Sequence, residues 1–210
     1  WLSEGISVYE ERLRDPRWGQ SMTARYREMT LGEDFTPVSE LSGAFLNPPS
    51  PTHLQFAYFE SSLVVQFLVE EFGAEKLNDV LDSLAEGIEI NEALAACVAP
   101  MERLEVGFAQ YARKLASDFG KELEFDRPDL PEDAPKTEMD RWAGENLQKY
   151  WARMTRAQAA IAGKDFQTAA EHHEFLCEKQ AATAEQDGVL ESLALCYRQL
   201  GDEPKEKQML

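Results

Sequence analysis

Between His53 and Phe72 the chain reads as one helix that is apolar on two faces. Leu54, Tyr58, Val65 and Phe72 mark one face, and Phe56, Phe59, Leu63 and Phe67 mark another. A helix with a single apolar stripe can lie on a surface, but one that is apolar on two sides must be covered on both. The rest of the chain therefore has to supply flanking elements. No convincing period-two alternation occurs in it, so strands are few or absent. The expected fold class is all-α.

The flanking helices are readable from spacing and punctuation. Residues 2 to 14 read as a helix with Leu2, Ile6, Tyr9 and Leu13 on one face, ended by Asp15-Pro16. Residues 20 to 30 form a shorter second helix. From Gly32 to His53 the chain holds Pro37, Pro48, Pro49 and Pro51, which predicts a long irregular connection of the kind that often carries function. The apolar residues between Val38 and Phe45 would pin it to the core. Gly73 suits the end of the apolar helix, since glycine adopts the backbone angles of a C-cap at no steric cost. Helices are expected at 74–86, 90–98 and 100–118, with Asn91 as an N-cap and Pro100 in a first turn.

Residues 119 to 137 change character. Asp126-Arg127-Pro128-Asp129-Leu130-Pro131-Glu132-Asp133-Ala134-Pro135 is acidic and proline-rich, as a linker would be, and a domain boundary is placed there. Residues 138–210 are helical again and contain a weak internal repeat. Asp165, after Gly163-Lys164, and Asp202, after Leu200-Gly201, occupy equivalent places 37 residues apart. Ala169, Ala194, Tyr197, Leu200 and Gly201 resemble positions of the tetratricopeptide repeat. That resemblance implies a helical hairpin array able to bind a protein partner.

Charge limits the partners. Lysine and arginine number 21 against 39 acidic residues, a formal net charge of -18, which disfavours nucleic-acid backbones and anionic membranes. No apolar run reaches membrane-spanning length. Cys97, Cys177 and Cys196 lack C-x-x-C spacing and are expected to be buried free thiols.

The segment Trp1-Leu2-Ser3-Glu4-Gly5-Ile6-Ser7-Val8-Tyr9 resembles the W-L-x-E-G-[IFL]-[AS]-x-[YF] string of the gluzincin, peptidase MA-like zinc metallopeptidases. The resemblance implies that Glu4 is the third zinc ligand. Two histidine ligands and a glutamate base would come from a His-Glu-x-x-His helix just upstream of Trp1, which these 210 residues do not contain. On helical-wheel geometry alone Glu4 is a solvated glutamate facing away from Leu2, Ile6, Tyr9 and Leu13.

A second string, Tyr58-Phe59-Glu60-Ser61-Ser62-Leu63-Val64-Val65, resembles the Y-x-x-[GS]-x-x-[VL]-[VL] helix of the same enzymes. There it implies that the Tyr58 hydroxyl donates a hydrogen bond to the tetrahedral oxyanion. Read from its residues alone, Tyr58 is equally a core tyrosine. Small side chains at Ser61 and Ser62 would let another backbone approach closely. Phe72-Gly73-Ala74-Glu75-Lys76-Leu77 and Glu105 to Ala112 extend the likeness to residue 118.

The resemblances imply an all-α helical C-terminal subdomain of a gluzincin peptidase, residues 1–118, followed by a linker and tetratricopeptide-like repeats. The expected substrate is a peptide or protein. The cofactor is zinc in the parent enzyme, not held tightly by this segment, which would be inactive alone. The competing reading is a non-catalytic tetratricopeptide-type protein-binding scaffold with a degenerate peptidase-like domain. His53 is read as a helix-start residue that could flank the cleft, and the adjacent His172 and His173 as surface residues of the repeat.

Overall fold

A computed structural model describes residues 1–15, 18–131, 134–179 and 188–209. Among these residues the structure is all-helical, with one isolated bridge between Glu124 and Lys149. Two compact units divide the chain. The first comprises Trp1–Met22 and Tyr26–Ser117, the second Thr23–Arg25 and Asp118–Leu210.

The first unit is built around the doubly apolar helix. Here α1 is Leu2–Arg14, α2 Ala24–Leu31, α3 Leu41–Leu46, α4 Pro51–Phe72, α5 Ala74–Ala85, α6 Ile90–Cys97 and α7 Met101–Asp118, with α2 counted to this unit from Tyr26 and α7 up to Ser117. Helix α4 starts two residues earlier than its periodicity suggests, because Ser50 accepts the His53 N–H and Pro51 occupies the first turn. Gly73 ends it at φ +90°, a conformation that side chains resist. Phe56, Phe59, Leu63, Val64, Val65, Phe67 and Leu68 are buried, and α1, α3 and α5 pack around them.

The buried face of α1 differs from the expected one. Leu2, Gly5 and Val8 are buried, Ile6 and Tyr9 are half-buried, and Leu13 is 62% exposed. A wheel that counts only large apolar residues overlooks Gly5, where α1 lies directly against α4. The stretch from 32 to 50 is less irregular than its prolines imply. It contains a 3-10 turn at Val38–Glu40 and then α3, pinned as expected by buried Val38 and Leu41. Asn91 is not the cap of α6. That position belongs to Glu89, and the Asn91 amide instead donates to the Ser39 carbonyl at 3.1 Å.

The second unit holds α8 Lys136–Glu145, α9 Tyr150–Ala162, α10 Phe166–Glu178, α11 Val189–Leu200 and α12 Glu203–Met209. The segment before α8 buries Phe119, Leu123 and Phe125, and Phe125 stacks on Tyr150 with ring centroids 5.2 Å apart. Two turns share one geometry. Asp165 accepts the Thr168 N–H at 3.2 Å and donates its own N–H to Ala160; Asp202 accepts the Lys205 N–H at 3.2 Å and donates to Tyr197. Each partner in the second turn stands 37 positions after its counterpart in the first.

His172 and His173 are buried, at 7% and 1% exposure, contrary to their reading as surface residues. Adjacent residues cannot share one helix face, but α10 packs against both α9 and α11, so two of its faces are covered. The Arg153 guanidinium lies over the Phe175 ring and is 3.2 Å from His172 Nδ1. Both ring nitrogens of His173 lack a partner among the described residues. Burial, followed by the neighbouring His172, pushes the His173 imidazole down to about 4.

Cys97, Cys177 and Cys196 are free thiols, of which Cys196 is buried and the others half-buried. No described helix is long and apolar enough to cross a membrane. Pro16, Glu132, Asp133 and Leu210, which entered the readings of helix end, linker and repeat, lie outside the described residues.

Candidate active site

Glu4 and Tyr58 are carried by the two helices that meet most closely in the first unit. At Gly5 a Cβ would stand 2.6 Å from the Ser61 carbonyl oxygen and 2.8 Å from its carbonyl carbon, closer than any real side chain sits. The backbones of α1 and α4 therefore touch. Serines on the α4 side make this possible, and their hydroxyls turn inward onto their own helix. Ser61 Oγ donates to the Tyr58 carbonyl at 3.0 Å, and Ser62 Oγ to the Phe59 carbonyl at 2.7 Å. Satisfied within the helix, they impose no desolvation penalty on the contact.

This crossing lies one residue from Glu4 and one helical turn from Tyr58. Glu4 is exposed, and its carboxylate has no hydrogen bond or ion pair among the described residues. Tyr58 is half-buried, with its ring edge-on to Phe45 at 5.0 Å and 81°. Its hydroxyl likewise has no partner among the described residues. Both polar groups are thus available on a fixed backbone.

Further along, the crossing is locked by a polar chain. The Arg12 guanidinium donates to Gln66, Gln66 Nε2 to Glu70 Oε1 at 2.7 Å, and the Tyr111 hydroxyl to Glu70 Oε2 at 2.7 Å. Burial holds the Arg12 guanidinium below its ordinary value, offset by Tyr111, Tyr9 and Glu70. Beside the first turn of α1, Trp1, Leu2, Ser3, Ser42, Leu81, Leu84 and Ile90 line a mostly apolar depression of about 290 Å³.

A larger cleft of about 580 Å³ opens where residues 33–49 pass the start of α4. Its walls include Asp34, Thr36, Glu40, His53, Phe56 and Ala57. His53 lies both at the helix start and in the cleft wall, with Nδ1 2.8 Å from Ser50 Oγ and Nε2 3.3 Å from Asp34 Oδ1. Glu60 is 1% exposed, and its Oε1 accepts the Thr36 N–H at 2.8 Å. Its Oε2 is buried with no partner among the described residues. Burial pushes the Glu60 carboxyl up to about 8, against the lowering effect of its bonds to Thr36. Sequence reasoning gave Glu60 no role. The available signal was its place between Phe59 and Ser61 on a helix apolar on two sides, where a carboxyl has little chance of reaching water.

The profile of the peptidase MA superfamily matches residues 1–105, half of the chain. The chain belongs to the peptidase MA superfamily. The matched region of this peptidase MA protein contains Glu4, the Gly5–Ser61 crossing, the cleft and Tyr58, and it stops within α7. No curated protein and no solved structure matches the chain significantly.

Donor chemistry fits zinc in part. A carboxylate oxygen is an ordinary zinc ligand, and the Glu4 carboxylate, without a partner among the described residues, can serve as one. A catalytic zinc needs three protein ligands. Among the described residues no three His, Cys, Asp or Glu side chains come together as such a site requires.

Proposed function

We propose that this peptidase MA protein forms part of a zinc-dependent metallopeptidase centre, with Glu4 as one metal ligand and Tyr58 as the oxyanion-stabilising donor. Zinc, when bound, would polarise the scissile carbonyl and activate water. Glu4 would fix one coordination position from a helix that cannot shift, because Gly5 lies against Ser61. Tyr58 would donate a hydrogen bond without adding charge, and the Phe45 ring limits how far the phenol can swing. The observation that carries the reading is the single crossing that seats both residues with their polar groups unpartnered.

The reading requires two further ligands and a general base. No His-Glu-x-x-His occurs in the 210 residues, so these would come from another part of the encoded polypeptide, and the 210-residue chain alone is expected to be inactive. The coding sequence preceding Trp1 tests this. His-Glu-x-x-His shortly upstream supports the reading, and its absence, with no zinc-dependent hydrolysis by the encoded protein, contradicts it.

The matching turns at Asp165 and Asp202 favour a further role for the second unit. We infer a tetratricopeptide-like pair of helical hairpins that binds a protein partner. If the upstream motif is missing, this unit becomes the functional part and the first a non-catalytic scaffold. Retention of partner binding by residues 1–210 after Glu4→Gln, together with its loss after substitutions on α10 and α11, would support the binding role.

A further inference from the structure

Among the described residues of the first unit, Glu60 is a carboxyl whose buried surroundings conflict with its charge, and it ties α4 to the segment that lines the cleft. It stands in the middle of α4, and Thr36, whose N–H it accepts at 2.8 Å, belongs to the segment that forms the opposite wall. The same segment continues to Phe45, the ring packed edge-on against Tyr58. Its second oxygen is buried with no donor among the described residues.

A buried carboxyl bonded to Thr36 through one oxygen, with the other unpartnered among the described residues, is tolerable when neutral and costly when ionised, since the buried charge loses hydration without full compensation. The charged groups on and beside the segment that carries Thr36 are engaged elsewhere. Asp34 and His53 lie 3.3 Å apart, Glu105 accepts the Ser39 N–H at 3.1 Å, and the Arg113 guanidinium lies over the Phe35 ring. Glu33 and Glu40 face the cleft and would repel a second negative charge. None of these pairs with Glu60 among the described residues.

We propose that protonated Glu60 is a clasp that holds residues 33–47 on α4, and that its ionisation releases this wall of the cleft. Glu60 is then a positioning residue, acting on Tyr58 through the segment that carries Phe45. Opening brings water to the carboxylate, so proton loss and segment release are one coupled event. Burial raises the closed-state carboxyl to about 8, so the clasp weakens as pH rises toward that value.

Hydrogen exchange of residues 33–47 in the 210-residue chain tests the clasp. Protection, corrected for the intrinsic rate, is measured from about pH 6 to about pH 9.5. It should fall roughly tenfold per pH unit up to about pH 8, the closed-state value of Glu60, and level off above it. In Glu60→Gln, which keeps an acceptor for Thr36 and cannot ionise, protection should stay flat. At every pH residues 33–47 should be less protected than the core around Val80 in α5, since the segment opens without global unfolding. Unchanged protection in the wild type, an equal fall in Glu60→Gln, or protection of residues 33–47 equal to that around Val80 would each overturn the proposal. Should Glu60→Gln fail to fold, carboxyl-¹³C titration of the wild type decides. A Glu60 midpoint at the pH where protection stops falling supports the clasp, and a midpoint near its ordinary value of 4.5 overturns it. The readout involves neither zinc nor turnover, so its outcome is independent of the peptidase reading.

Discussion

Gly5 and Ser61 meet backbone to backbone: a Cβ added to Gly5 would lie 2.6 Å from the Ser61 carbonyl oxygen. The glycine that follows Glu4 is thus a packing requirement, since it alone lets α1 lie flush on α4. Gly5→Ala should force the helices apart and cost about 1–3 kcal/mol, as overpacking does. Gly43→Ala in α3, where a Cβ meets nothing within 4 Å, serves as the control. It should be neutral or stabilising by up to about 1 kcal/mol. Urea denaturation of the two variants checks the difference.

Glu60 gives the first unit an unusual pH dependence. Its folded value of about 8 lies above its ordinary value of 4.5, so between those limits the unfolded chain releases a proton that the native protein keeps. Stability from this group is complete below pH 4.5, falls as pH rises, and stops falling above about pH 8. The slope is about 1.4 kcal/mol per pH unit at most. Glu60→Gln should remove that slope and gain on the wild type as pH rises. Denaturant midpoints across this range check it.

His173 acts in the opposite direction in the second unit. Its folded value of about 4 lies below the ordinary 6.5, so the native protein refuses a proton that the unfolded chain accepts. Stability from His173 is fully present above pH 6.5 and is lost as pH falls toward about 4. The total approaches about 3 kcal/mol. His173→Leu should flatten this acid limb, which residue-resolved exchange in α10 can follow.

Tyr58→Phe separates catalysis from packing. The hydroxyl has no partner among the described residues, so its removal should leave stability within about 0.5 kcal/mol. In the polypeptide that carries His-Glu-x-x-His, kcat should fall by about 10²–10³ with KM little changed, as when one oxyanion donor is lost. Steady-state kinetics on a peptide substrate checks both parameters.

Much of the fold was legible because helical spacing and punctuation agree. The two apolar faces of α4 demanded neighbours on both sides, and Gly73 marked its end. The contact at Ser61 was legible too, since small side chains announce a close approach. Other features escaped because they depend on what covers a helix. The true buried face of α1 turns on Gly5, which carries no hydrophobic signal. His172 and His173 looked exposed because adjacency argues against a shared face, yet α10 is covered from both sides. Glu60 was passed over because a glutamate on a helix is normally solvated, whereas this one is enclosed by α4's own apolar neighbours and Thr36.

The most direct measurement is a zinc-edge anomalous crystal structure of the encoded polypeptide that contains His-Glu-x-x-His. A Glu4 carboxylate oxygen should lie about 2.0–2.2 Å from the metal. The Tyr58 hydroxyl should face the open coordination position. Zinc bound without Glu4, or with Tyr58 turned away from it, would contradict the assignment.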